Sequence, residues 1–127
     1  MTKIGFITTN KLLGQSLSAA INAQPELDFE SYLLLNLQQA ALDIDVLKID
    51  VAIVDVLDAA AAETKTTVEL CEKVRRISPN CRILLFLYQD DTLGKQLAVE
   101  VVRAQIADDF VFYDTSLEYL FAKLSAL

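Results

Sequence analysis

The stretch Asp50-Val51-Ala52-Ile53-Val54-Asp55 decides the fold. Val51, Ile53 and Val54 are β-branched, and nothing polar interrupts them between the two aspartates. A half-exposed strand would alternate apolar and polar residues. A continuous apolar run of this length predicts a strand buried on both faces. Such strands belong to parallel sheets covered by helices on both sides. Asp55 ends the run at its carboxyl end, which is where open sheets of this kind carry their function.

Outward from this strand the same alternation repeats. Ile4 to Ile7 is a short run of strand formers closed by Thr8-Thr9-Asn10. Asn10 is a good N-cap, and Leu13, Leu17 and Ile21 follow at helical spacing until Gln24-Pro25 stops them. Leu27 to Leu35 reads as extended, with Phe29, Ser31 and Leu33 on one face. Asn36 is placed to cap a second helix from about Leu37 to Leu47. A third helix is predicted over Thr67–Ile77, with Leu70, Val74 and Ile77 inward and Ser78-Pro79-Asn80 as its stop. Ile83 to Leu87 is another apolar strand. Asp91 caps a fourth helix with Leu93, Leu97 and Val101 in register. Phe110 to Tyr113 is the last strand. Thr115 and Glu118 have the spacing of a capping box for a fifth helix, with Leu117, Leu120 and Leu124 as its inner stripe. Ala59-Ala60-Ala61-Ala62 and the following Glu63 to Thr67 read as a longer loop or frayed helix start. The order is βαβαβαβαβα, a single doubly wound five-stranded parallel sheet with helices on both faces.

Composition excludes several functions. The chain has 127 residues, 54% of them hydrophobic, enough for one folded domain spanning 1–127. It has 11 Lys and Arg against 18 Asp and Glu, a formal net charge of -7. A surface this acidic repels phosphate backbones, so direct nucleic-acid contact is not expected. There is no His, which removes Ser-His-Asp hydrolysis and His-based zinc sites. Cys71 and Cys81 are too few and too far apart for a structural zinc site, and read as small buried hydrophobes. Neither a signal peptide nor an apolar stretch approaching the ~20 residues of a membrane span is evident. The expected compartment is the cytosol. No catalytic residue, metal or cofactor is predicted.

With these segments in order, the chain resembles the response-regulator receiver domains, the CheY-like family of flavodoxin-like (βα)5 fold. The resemblance covers the whole chain. It is most specific at Asp50–Asp55, similar to the family's third strand with its phosphoacceptor aspartate, and at Ala107-Asp108-Asp109-Phe110-Val111, similar to the entry to its fifth strand. A working receiver holds magnesium between an acidic pair after the first strand and the phosphoacceptor. A Thr or Ser after the fourth strand and a Lys after the fifth contact the phosphoryl oxygens.

Of these groups the sequence keeps Asp55. The acidic pair falls on Thr8 and Thr9, and the lysine on Tyr113, followed by Asp114. The Thr/Ser position falls on Leu87, or on Tyr88 if the strand is read one residue later. The family's switch aromatic falls on Phe110. One carboxylate with two Thr hydroxyls is a poor magnesium site, and a phosphoryl group at Asp55 would lack its main electrostatic stabilisation. The resemblance therefore implies a degenerate receiver, a pseudo-receiver, with Thr8, Thr9, Leu87, Tyr88 and Tyr113 lining a vestigial pocket around Asp55.

Two readings of these residues stay open. Tyr88 and Tyr113 either plug the pocket and donate to Asp55 or are ordinary strand-end residues with hydroxyls in water. Thr8-Thr9-Asn10 is either a ligand-binding turn or a helix cap. The basic residues Lys73, Arg75, Arg76 and Arg82 read as a solvated face or a partner contact.

The family uses its fourth helix, fifth strand and fifth helix as a dimer or output surface. The resemblance implies that face here, including Leu93, Val99, Val102, Arg103, Phe112, Tyr119 and Lys123. It also implies a protein partner or an output domain, one context being the regulatory part of a transcription regulator. The alternatives are a conventional phosphorylatable two-component receiver using Asp55, and a small flavodoxin-like ligand-binding protein.

Overall fold

The computed structural model describes residues 1–56 and 63–127. Strands β1 (Thr2–Ile7), β2 (Phe29–Leu34), β3 (Val51–Asp55), β4 (Arg82–Leu87) and β5 (Asp109–Phe112) form one sheet in the order β2-β1-β3-β4-β5. Every neighbouring pair is parallel. Helices α1 (Lys11–Asn22), α2 (Ala40–Leu47), α3 (Glu63–Ile77) and α4 (Thr92–Arg103) provide the crossovers, and α5 (Leu117–Ala126) follows β5. The expected fold class is the one observed.

The period of two along each strand divides the core into two layers. Val54, Ile83, Leu85 and Leu87 pack with α2, α3 and α4. Phe6, Ile53, Phe86 and Val111 pack with α1 and α5. Ile53 and Val54 are adjacent, serve opposite layers, and are both buried. The unbroken apolar run of β3 thus has its cause: no face of this strand meets water.

Several boundaries differ from the sequence reading. Asn36 does not cap α2. Its Oδ1 accepts the Gln38 and Gln39 N–H groups, forming a turn, and the helix begins only at Ala40. The α5 cap is Ser116, whose Oγ accepts the Tyr119 N–H, so Thr115 and Glu118 form no capping box. Pro25–Leu27 is a short 3-10 turn ahead of β2, and α3 already starts at Glu63. Leu93 and Leu117 are exposed, and the inner stripes are instead Gly94, Leu97, Ala98 and Val101 in α4 and Leu120, Phe121 and Leu124 in α5. Both misplaced leucines sit in a first turn, which projects past the end of the sheet. Asn10 and Asp91 do cap α1 and α4, through the Leu13 and Gly94 N–H groups. The predicted Ala59–Ala62 loop lies outside the described residues.

The basic residues also separate. Arg75 is not a solvated side chain. Its guanidinium donates to the carbonyls of Pro79, Cys81 and Ile106 and to Asp108. Arg76 and Arg82 are exposed, and Arg82 also reaches Asp108, at 3.3 Å.

Candidate functional site at the carboxyl end of the sheet

The chain leaves β1 for the edge strand β2 and returns past β1 to β3, so the switch in winding direction lies between β1 and β3. The crevice beyond the carboxyl ends of those strands is the expected site in an open α/β sheet. Thr8 and Asp55 stand on its two sides. Backbone bonds carry the strand geometry slightly past the strand ends: Thr8 N–H to Leu34 O, Val56 N–H to Phe86 O, and Tyr113 N–H to Leu87 O. Two residues beyond Phe6, Ile53, Phe86 and Val111, the alternation brings Thr8, Asp55, Tyr88 and Tyr113 to the α1/α5 side.

Asp55 is 6% exposed, and both its carboxylate oxygens are engaged. Thr8 Oγ1 donates to Oδ2 at 2.7 Å, and the Tyr113 hydroxyl donates to Oδ1. Thr8 Oγ1 in turn accepts the Asn10 N–H at 2.9 Å. The hydroxyl of Thr8 therefore joins the carboxylate to the turn that starts α1. A close approach makes this possible: a Cβ at Gly14 would meet Thr8 Cγ2 at 3.2 Å and Leu33 Cδ2 at 3.1 Å. Tyr113 reaches Asp55 from beyond β5, across the end of the intervening β4. Its ring packs edge-on against Phe86 at 4.6 Å, and Phe86 packs on Phe6 in the same manner. Burial pushes the Tyr113 phenol well above its ordinary pKa, and the bond to Asp55 and the charges of Asp55 and Asp91 push it further. The phenol remains a protonated donor.

The other expected site residues are dispersed. Thr9 is exposed. Leu87 is fully buried, but in the layer under α2, α3 and α4, so it does not line the pocket. Tyr88 lies at the pocket's edge, half-exposed, its ring 6.4 Å from that of Tyr113. Phe110 faces α4 and packs edge-on against Phe112. Of the two open readings for the tyrosines, Tyr113 takes the first and Tyr88 the second. The Asn10 side chain caps α1, and Thr8 serves both the cap and the carboxylate.

No protein-family model matches the sequence, and comparison with characterised proteins finds no match. Solved structures do match. A two-component response regulator from Clostridium difficile is 23% identical, with 99% of this chain and 94% of that one covered and a TM-score of 0.75. The chemotaxis protein CheY4 of Vibrio cholerae is 20% identical over 99% of this chain and 98% of its own, at 0.77. An adenylate cyclase from Rhodopirellula baltica is 22% identical over 99% and 87%, at 0.78. The fold is that of a response-regulator receiver domain.

A receiver fold implies a magnesium site, and the residues present do not fit one. Magnesium requires several oxygens in octahedral array, usually with more than one carboxylate when no phosphate is bound. Among the described residues Asp55 is the one buried carboxylate, and its oxygens already accept two hydroxyl donors. Among the described residues, no group of three or more His, Cys, Asp or Glu side chains is arranged to hold a metal. In addition, no described helix is long and apolar enough to cross a membrane.

Proposed function

We propose that this chain is a degenerate receiver that works in signal transduction through protein–protein contact, without aspartyl phosphorylation. The observation that carries the reading is the Tyr113 hydroxyl on Asp55 Oδ1, opposite the Thr8 hydroxyl on Oδ2. An attacking carboxylate needs a free oxygen, and the phosphoryl group it accepts needs fixed positive charge. Here Tyr113 replaces the cation with a neutral phenol, and Thr8 and Thr9 replace the metal-binding pair.

The partner is a protein or an attached output domain, a reading that the likeness to response regulators supports. The face made by α4, β5 and α5 is the proposed surface for self-association. It carries exposed Val99 and Tyr119, with Lys123 paired to Asp109 at 2.8 Å and placed over the Tyr119 ring. Val102, expected on this face, is half-buried against the core.

The test is incubation with acetyl phosphate or beryllofluoride and magnesium, read by intact mass and NMR. The expected result is no adduct and no magnesium-dependent shift. A stoichiometric aspartyl phosphate at Asp55 would overturn the proposal in favour of a conventional receiver.

A further inference from the structure

The edge of the sheet opposite the Asp55 crevice carries a continuous groove. Two clefts of about 430 and 390 Å³ open there and share one lining residue, Arg82. The larger passes the starts of β2, β1 and β3, along Phe29, Thr2, Asp50 and Val51. The smaller reaches Gln105, Ala107 and Asp108, on the approach to β5. Backbone donors along this edge are already taken. The Thr2 N–H bonds Asp28 O, the Lys3 and Arg82 N–H groups bond Asp50, and the Ile83 N–H bonds Asp108. Recognition in the groove therefore falls to side chains.

Three of those side chains have spare capacity. Arg82 is the one exposed residue of β4. Its Nη1 meets Asp108 Oδ1 at 3.3 Å, and among the described residues its Nε and Nη2 make no bond. Basic residues at the ends of helices answer the helix dipole, which accounts for Arg75, spent on Asp108 and on the carbonyls of Pro79, Cys81 and Ile106. Arg82 begins a strand, so no dipole accounts for it. The Gln105 side-chain amide also has no partner among the described residues, and its backbone φ of 63° is one that glycine usually supplies after a helix end. Asp50 Oδ2 accepts the Lys3 N–H at 2.8 Å, while Oδ1 accepts nothing among the described residues. At the β2 end, Leu27 and Phe29 are half-buried and give the groove an apolar patch.

We infer that this groove holds a short extended segment of a partner protein, with an apolar residue on Leu27 and Phe29 and a carboxylate on Arg82 and Gln105. The Nε and Nη2 groups of Arg82 form the parallel fork in which arginine binds a carboxylate with two bonds. Asp50 Oδ1, between the two anchors, accepts a backbone N–H of the segment. The size fits. From β2 to midway between β4 and β5 is about 17 Å at ~4.8 Å per strand spacing, which an extended chain crosses in about five residues at ~3.3 Å each. The charge fits as well. Arg75 and Arg82 together face one carboxylate, Asp108, so the trio keeps a positive charge in excess. The whole chain carries -7, which repels a second copy or a long polyanion. A short acidic segment meets mainly the charges within a Debye length, ~8 Å at physiological salt. The inference goes beyond the proposed function and does not depend on the state of Asp55, which lies at the other end of the strands.

The probes are two labelled synthetic peptides of about eight residues, blocked at both ends, with a leucine and a glutamate about five positions apart in the two possible orders. Counterparts carry glutamine for the glutamate or serine for the leucine. Fluorescence anisotropy is expected to show saturable, salt-sensitive binding of one order, with each of its counterparts weaker by about tenfold. Amide NMR shifts are expected at Phe29, Asp50, Arg82 and Gln105. Arg82→Gln should abolish the preference for glutamate over glutamine. Gln105→Gly suits the backbone at that position, so it should leave circular dichroism and the melting temperature no lower than the parent's while weakening binding about fivefold. Absence of binding by both orders, equal binding of the glutamine counterpart, unchanged affinity in both variants, or shifts gathered at Thr8, Tyr88 and Tyr113 would overturn the inference. So would free glutarate binding as tightly as the peptide, which would make a small anion the ligand, or a dimer that Gln105→Gly dissociates, which would make a second copy the occupant.

Discussion

Arg75 Nη2 donates to Asp108 Oδ2 at 2.9 Å, joining the last turn of α3 to the turn that leads into β5. The same carboxylate oxygen accepts the Ile83 N–H at 2.8 Å, and the other accepts Arg82. Burial alone would raise the Asp108 pKa. The Ile83 N–H and the two guanidinium groups outweigh it and hold the carboxyl below its ordinary value. The folded pKa is therefore below the unfolded one, so this stabilisation is complete above the unfolded value of about 3.9 and is lost as pH falls through the folded one. Asp108→Asn is expected to cost about 1.5–3 kcal/mol in urea unfolding at neutral pH. The gap from the parent should close progressively below pH ~3.9. A gap that stays constant with pH would show that the charge contributes nothing.

Removing the Tyr113 hydroxyl leaves the buried Asp55 carboxylate with one fewer donor. Tyr113→Phe is expected to destabilise by about 1.5–3 kcal/mol. Asp55→Asn removes the charge and keeps an acceptor, so it should lie within about 1 kcal/mol of the parent. In a double-mutant cycle the Phe substitution should then cost much less in the Asn background. Equal costs in both backgrounds would mean that the phenol and the carboxylate are uncoupled.

Restoring the acidic pair and the lysine should restore a metal response. Thr8→Asp, Thr9→Asp and Tyr113→Lys combined are expected to give a protein that magnesium stabilises, by about 2.7 kcal/mol at a hundred times its Kd. The parent should gain nothing. Thermal melts with and without magnesium decide this. A parent that gains as much as the variant would contradict the geometry at Asp55.

Tyr119→Glu and Val99→Glu test the α4–β5–α5 face. Both side chains are exposed, so neither change should alter circular dichroism. If the face self-associates, light scattering should show each variant shifted toward monomer. Unchanged mass for both would place any dimer elsewhere.

The cysteines give an alkaline prediction. Burial pushes Cys71 up to about 12 and Cys81 up to about 11, in each case against the pull of Arg75. Their folded pKa values exceed the unfolded ~8.5, so the stability they confer is intact below that pH and is lost as pH rises toward the folded values. A thiol reagent at pH 8 should react at the rate of unfolding. Prompt stoichiometric labelling would refute the burial of these groups.

Strand order and helix faces were legible wherever a residue's neighbours in sequence determined its environment, as along Val51–Val54 or Leu97–Val101. First turns were not, because Leu93 and Leu117 keep the helical period yet project beyond the sheet that would cover them. The α5 cap was read at Thr115 and falls on Ser116, since either hydroxyl can accept an N–H three residues on, and only the path of the chain chooses. The Asp55 position was readable from a local motif. Its engagement by Tyr113 was one of two open readings, because the bond crosses the end of β4 and depends on strand order. Arg75 read as a surface charge because most of its partners are backbone carbonyls, which carry no sequence signature.

The chain contains no tryptophan, so its near-ultraviolet emission comes from tyrosine alone. An excited phenol is a strong acid and passes its proton readily to a hydrogen-bonded carboxylate, which dims it. Tyr113 on Asp55 and Tyr32 on Glu30 are so placed. The pair at the crevice is the one that closes over Asp55, which makes the domain's own glow an optical gauge of whether Tyr113 is seated.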